Sequence, residues 1–103
     1  MENTALTEIA FKIILFAGNG KSCAMEAIQE AKEGRFERAD QLIQEANAEL
    51  GKAHEYQTKL LQQEAQGQGP GINIMLIHSQ DHLMTAMTTR DLAVEIIDLY
   101  RTR

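Results

Sequence analysis

Cysteine, proline and tryptophan are nearly missing from this chain of 103 residues, which has one cysteine, one proline and no tryptophan. A single thiol, Cys23, cannot form a disulfide within the chain or a thiolate metal site, and it agrees with a reducing compartment. No apolar run approaches the roughly 18 residues of a membrane-spanning helix, and no secretory signal pattern is readable. We therefore expect a cytoplasmic protein without direct membrane insertion.

Positive charge is also scarce. The chain has 10 lysines and arginines against 15 aspartates and glutamates, which gives a formal net charge of −5. Such an acidic chain is poorly suited to nucleic acid or to an anionic membrane surface, so we expect protein partners. The length fits a single domain over residues 1–103, with a core of modest size.

Two places in the sequence are predicted to be turns. Gly34 is the first, and residues 67–71 hold three glycines and the only proline. The sequence between them predicts helices over about residues 4–33, 35–66 and 72–101, each roughly 40 to 45 Å long at 1.5 Å per residue. Long helices joined by short turns indicate an all-α fold of three antiparallel helices.

Apolar residues recur at helical spacing in the first two segments, which predicts the face that each helix buries. The first stripe starts with large residues and continues with small ones, so we expect the helices to approach closely there. The predicted stripes are Leu6, Ile9, Ile13, Phe16, Gly20, Cys23, Ala27 and Ala31 in the first helix, and Phe36, Ala39, Ile43, Ala46, Leu50, Ala53, Gln57 and Leu60 in the second.

The third segment carries two apolar stripes on opposite sides. At 100° per residue, one stripe lies opposite Asp81 and the other is centred on it. One chain has no fourth helix to cover the second stripe, so we expect copies of the third helix to meet around a symmetry axis. The core stripe is Leu76, Leu83, Met87, Val94 and Ile97, and the second is Ile74, Thr88, Leu92 and Leu99, flanked by Ile77, Met84, Thr85 and Ile96.

Asp81 lies at the centre of this second stripe. A carboxylate in such a seam must be protonated, paired with a cation or bound to a metal. Carboxylates from several copies would supply hard oxygen ligands, which suit Mg²⁺, Ca²⁺ or Mn²⁺. A protonated cluster that sets the register of the helices explains the pattern without a metal, so both interpretations stay open.

Two histidines flank this carboxylate. His78 lies about 60° and His82 about 100° from Asp81 around the helix, at the partly accessible edge of the seam. Neutral imidazole can attack a phosphoryl group, so His78 is a candidate nucleophile that His82 would orient. Two other functions remain open: a non-catalytic trimeric helical scaffold with a structural ion at Asp81, and a small metal-dependent hydrolase that uses all three residues as ligands.

The segment HSQDHLMT at residues 78–85 resembles the signature of the lactose/cellobiose-type enzyme IIA of the bacterial phosphoenolpyruvate-dependent sugar phosphotransferase system. The resemblance extends to AHEYQTKLL at residues 53–61 and to AMEAI at residues 24–28, so it covers essentially the whole chain. It implies a homotrimeric nine-helix bundle that acts as a phosphocarrier in sugar transport.

The same resemblance implies roles for individual residues. His78 would carry the phosphoryl group on Nε2, Asp81 would bind a metal shared by three subunits, and His82 would be an auxiliary residue of the site. The implied donor is HPr, the implied acceptor is a cysteine of the cognate enzyme IIB, and one divalent ion, with Mg²⁺ preferred, belongs to each trimer. The transported disaccharide, whether lactose, cellobiose or chitobiose, is not readable from this chain.

Gln80 adds a hypothesis from geometry. It projects about 100° from Asp81, on the side opposite His78, so it cannot reach the histidine of its own helix. The Gln80 side chain of a neighbouring subunit would be better placed, which predicts a site shared between chains.

Overall fold

The computed structural model describes residues 2–69 and 73–103, with side chains from residue 6 onward. Three α-helices make up this part of the chain: α1 Glu2–Lys32, α2 Phe36–Ala65 and α3 Ile74–Arg101. They lie side by side in a bundle of 52 × 21 × 19 Å. The predicted all-α fold of three long helices is confirmed, and the observed helix ends fall close to the predicted ones.

The two predicted turns follow from glycines in the left-handed region. Gly34 has φ of 79° and Gly67 has φ of 76°, values that L side chains rarely adopt. Beyond each glycine the next backbone N–H donates to a carbonyl five residues back, from Arg35 to Glu30 at 2.9 Å and from Gln68 to Gln63 at 2.8 Å. Both helices therefore end in a Schellman motif.

The third helix begins at a side-chain cap. Asn73 has extended backbone, and its side chain accepts a hydrogen bond from the backbone N–H of Leu76 at 2.9 Å. This bond satisfies one of the amide groups left open at the first turn. The predicted start at residue 72 lies outside the described residues, as do Pro70 and Gly71.

Helix α1 packs along its length against both other helices, whereas α2 and α3 contact each other less. The contacts rest on small residues: a Cβ atom built on Gly20 would lie 2.7 Å from Leu50 Cγ, so the expected close approach is confirmed. Alanines that the sequence stripes left out complete the core, namely Ala10, Ala17 and Ala24 in α1 and Ala86 and Ala93 in α3.

The two stripes of α3 differ in exposure. In the predicted core stripe Leu76, Leu83 and Ile97 are buried against the other helices, and Met87 and Val94 are half-buried. Ser79 is also buried, which the sequence did not indicate, and its hydroxyl donates to the carbonyl of Leu76 at 2.7 Å. The second stripe, including Ile74, Leu92 and Leu99, stays exposed on the single chain.

Among the described residues, none of the three helices is both long enough and apolar enough to cross a membrane.

Candidate functional site

His78 and His82 lie on successive turns near the start of α3. Their ring centroids are 4.6 Å apart, and the ring planes meet at 87°. The edge of one imidazole therefore points at the face of the other. His78 is exposed and His82 is half-buried, so His78 is the more accessible nitrogen base of the pair. The structure thus brings together the two histidines that the sequence singled out.

Asp81 lies between these histidines in sequence but on the exposed second stripe of α3. Its backbone carbonyl accepts a hydrogen bond from Thr85 Oγ1 at 2.8 Å, and the same hydroxyl lies 3.2 Å from the carbonyl of His82. Within the described part of one chain, no group of three or more histidine, cysteine, aspartate or glutamate side chains is placed to hold a metal.

Gln80 lies on the opposite flank of α3, about 160° around the helix axis from both histidines at 100° per residue. It is half-buried, and its Oε1 accepts a hydrogen bond of 2.6 Å from Nε2 of Gln57 in α2. The structure therefore separates Gln80 from His78 within one chain. Sequence reasoning assigned Gln57 only to the buried stripe of α2, although a polar residue at such a position was a signal of a specific contact.

Part of the surface of α1 is apolar and exposed. Ala10, Ile13 and Ala17 of α1 belong to the same core cluster as Leu76 and Leu83 of α3. The α1 side chains that point away from this core include two large apolar ones, Phe11, which is 58% exposed, and Leu15, which is 56% exposed. The predicted buried stripe of α1 includes neither Phe11 nor Leu15. Their large apolar side chains outside that stripe were the signal that could have identified an exposed apolar surface.

Cys23 is a nucleophile that the structure places away from this site. It is half-buried on α1, and burial, followed by the negative charge of Glu45, raises the pKa of its thiol above the ordinary value. The thiolate is the reactive form, so Cys23 is a weak nucleophile at neutral pH. The histidines are the better candidates for group transfer.

Comparison with known proteins shows the family of the chain. Residues 8–101 match the model of the family described as "PTS system, Lactose/Cellobiose specific IIA subunit". The chain is 52% identical over 98 residues to the lichenan-specific phosphotransferase enzyme IIA component of Bacillus subtilis, covering 95% of this chain and 89% of that protein. It is 43% identical over 93 residues to the lactose-specific EIIA component of Staphylococcus epidermidis, covering 90% and 89%.

Solved structures agree as well. The cellobiose-specific enzyme IIA of Bacillus anthracis has a TM-score of 0.90 and 47% identity, over 92% of this chain and 87% of that one. The IIA(chitobiose) of Escherichia coli, solved in complex with HPr, has a TM-score of 0.81 and 34% identity, over 92% of both chains.

The fold and the matched sequence define a component of the sugar phosphotransferase system. The chain belongs to the family of lactose/cellobiose-specific IIA subunits of that system. Its function is that of a phosphocarrier, as the sequence predicted, and it is a phosphotransferase component of sugar transport.

Proposed function

We propose that this chain carries the phosphoryl group on His78, which receives it from HPr and passes it to a cysteine of the cognate enzyme IIB. The observation that carries the proposal is the exposed imidazole of His78 beside the half-buried ring of His82. A partner protein can reach the exposed ring of His78, and the adjacent ring of His82 limits the rotation of the His78 ring. Since phosphoryl transfer depends mostly on positioning and charge stabilisation, a fixed and accessible imidazole is the main requirement.

The transfer is a pair of in-line displacements. The lone pair of His78 Nε2 attacks the phosphorus of the phosphohistidine on HPr, the new N–P bond forms, and the donor's N–P bond breaks. In the second step the cysteine thiolate of enzyme IIB attacks the same phosphorus, an S–P bond forms, and His78 is released as neutral imidazole. The edge-to-face contact with His82 holds the His78 ring and lets the second imidazole balance part of the charge that develops on the first.

The partner surface of this proposal is the exposed apolar part of α1 formed by Phe11 and Leu15. HPr and enzyme IIB would use this surface in turn, as suits weak, exchanging partners with a small apolar contact. The E. coli relative solved with HPr supports the identity of the donor.

The assembly is proposed to be a homotrimer built around α3. Ile74 is 84%, Leu99 67% and Leu92 58% exposed on the single chain, and together they form an apolar line along the helix. Large apolar side chains in such a line indicate a contact surface. Three copies packed in parallel along this line would form the nine-helix bundle, and they would bring three Asp81 carboxylates to the axis.

One divalent metal ion per trimer, with Mg²⁺ preferred, is proposed for these carboxylates. The donor set fits, because three aspartates supply hard oxygen ligands and a single chain supplies too few. When bound, the ion would neutralise the three converging negative charges. Analytical ultracentrifugation with metal analysis tests both points: a trimer with one ion is expected, and Asp81→Asn should lose the ion.

Gln80 is proposed to act across the subunit boundary. It lies on the opposite flank of α3 from His78, so in a closed ring of parallel helices the Gln80 flank of one chain faces the histidine flank of the next. Its amide would then donate to the phosphoryl group on the neighbour's histidine. Mixed trimers of Gln80→Ala and His78→Ala chains should transfer phosphate differently from either parent, and purely additive behaviour would contradict the role.

The transported sugar is proposed to be a disaccharide such as lactose, cellobiose or chitobiose. The curated relatives carry names for lichenan, lactose, galactose and cellobiose. Since the phosphoryl group passes between proteins, the sugar does not contact this chain. Uptake of each sugar by a strain that lacks this component identifies the one that depends on it.

Phosphorylation of the chain tests the main proposal. Incubation with phosphoenolpyruvate and the general phosphotransfer proteins should place acid-labile phosphate on the wild-type chain and none on His78→Gln. Equal labelling of His78→Gln would overturn the assignment of the residue. An unlabelled wild-type chain would favour the alternative, a non-catalytic scaffold with a structural ion at Asp81.

A further inference from the structure

We infer that Gln57 is a positioning residue for phosphoryl transfer, because it fixes which end of the Gln80 amide is directed outward. The inference rests on the proposed role of Gln80 across the subunit boundary. Gln57 lies on α2, on a different helix from every residue of the family signature at residues 78–85. Its contribution would act through Gln80 and not on the phosphoryl group itself.

The position of Gln57 in α2 is unusual for a polar side chain. It continues the buried stripe between Ala53 and Leu60, both of which are buried against the other helices. An apolar residue would serve packing better at such a place, since a polar group taken from water needs a partner. The partner is Gln80, at 2.6 Å from Gln57 Nε2 to Gln80 Oε1. The bond is one of the few specific contacts between α2 and α3.

The direction of this bond decides what Gln80 offers to its surroundings. A carboxamide has an acceptor end, the oxygen, and a donor end, the amino group. Gln57 binds the oxygen, so the amino group of Gln80 keeps both of its N–H donors outside this bond. A phosphoryl group has only acceptor oxygens on its surface, so it can be stabilised by the amino end and is repelled by the carbonyl end. The bond from Gln57 thus sets the useful orientation.

Preorganisation is the physical reason why this orientation affects rate. Without Gln57 the amide of Gln80 can rotate, and it must be ordered again each time charge develops on the phosphoryl group. A neutral hydrogen bond contributes modestly, so the rate should fall by roughly threefold to tenfold and transfer should persist. Docking of HPr should be unaffected, since Gln57 is not part of the apolar surface at Phe11 and Leu15.

The test compares Gln57→Met with the matched change Gln63→Met in the full-length chain. Methionine keeps the length and helix propensity of glutamine but makes no such hydrogen bond, and Gln63 is an exposed residue of the same helix. Steady-state transfer from phosphorylated HPr should show a lower kcat and an unchanged KM for Gln57→Met, with wild-type values for Gln63→Met. A raised KM at constant kcat would indicate a role in docking and would overturn the inference.

A double-mutant cycle separates positioning from a general structural effect. In a Gln80→Ala background the change Gln57→Met should have no further effect on kcat, because the group that it positions is gone. An equal loss of kcat in both backgrounds would overturn the inference. If Gln80→Ala alone leaves kcat at the wild-type value, the proposed role of Gln80 is wrong, and the role of Gln57 is wrong with it. Labelling of His78 tests the phosphocarrier function separately.

Nuclear magnetic resonance of the side-chain amides tests the bond itself, independently of transfer. The amide proton resonance of Gln57 should shift downfield relative to that of exposed Gln63, and it should lose this shift in Gln80→Ala. Unchanged Gln57 resonances in Gln80→Ala would show that the two side chains are not bonded and would overturn the inference, even with an intact phosphocarrier activity.

Discussion

Adding a single methyl group at Gly20 should destabilise the bundle, although alanine is a better helix former than glycine. A Cβ atom at this position would lie 2.7 Å from both Cγ and Cδ2 of Leu50 and 3.3 Å from the carbonyl oxygen of Ala46. Leu50 is only 3% exposed and is packed in the core, where side chains are close-packed. Gly20→Ala must therefore either displace Leu50 or separate α1 from α2, and such overpacking typically costs about 1 to 3 kcal/mol.

The same helix supplies the control for this prediction. Gly18 lies two positions earlier, and a Cβ atom there would meet nothing within 4 Å. Gly18→Ala should therefore show only the gain in helix propensity, about 0.5 to 1 kcal/mol. Because that gain is common to both variants, their free energies of unfolding should differ by the overpacking cost alone, about 1 to 3 kcal/mol in favour of Gly18→Ala.

Urea denaturation followed by circular dichroism measures this difference. All variants must be compared at one protein concentration, since self-association makes apparent stability depend on concentration. The expected order of unfolding midpoints is Gly18→Ala above wild type above Gly20→Ala, with similar slopes. Equal or higher stability of Gly20→Ala relative to Gly18→Ala would refute the close packing of α1 on α2 at this point.

Three further predictions concern other parts of the chain. Burial and Glu45 raise the pKa of the Cys23 thiol, so alkylation of the folded chain by iodoacetamide should be slow at neutral pH. Alkylation should accelerate at a higher pH in the folded chain than in the urea-unfolded chain, and equal pH profiles would contradict this. Leu92→Glu should leave helix content unchanged but lower the molecular mass in ultracentrifugation, and an unchanged mass would contradict the proposed seam. Asn73→Ala should lower the free energy of unfolding by about 1 kcal/mol, against little change for exposed Thr102→Ala, as measured by denaturation.

Much of the fold was predictable because its signals are local. The left-handed conformations at Gly34 and Gly67 fall at the two places where the sequence predicted turns. The large apolar residues of α3 point to the core at the spacing of an ideal helix, and the exposed second stripe is visible from the same spacing. Periodicity reports which sides of a helix are apolar, and one of the two apolar sides of α3 packs on the other helices.

Some small and polar residues of the core were not predictable in the same way. Ala86, Ala93 and Ser79 of α3 are buried, yet none of them belongs to a stripe that the sequence predicted for this helix. They are buried because α1 approaches α3 closely, and that approach depends on the complementary small residues of α1, such as Ala17 and Ala24. Burial of a small side chain is thus a property of the pair of helices and not of either helix alone.

The candidate site also has features that the sequence determined and features that only the packing of the helices decided. The sequence by itself determined the three helices, the cluster at His78, Asp81 and His82, and the family to which the chain belongs, because these depend on residue types at short spacing along the chain. Only the tertiary structure decided that Gln57 contacts Gln80 and that Ser79 is buried. Those relations depend on how far each helix is shifted and rotated against its neighbours, and this is set by the packing of side chains from all three helices.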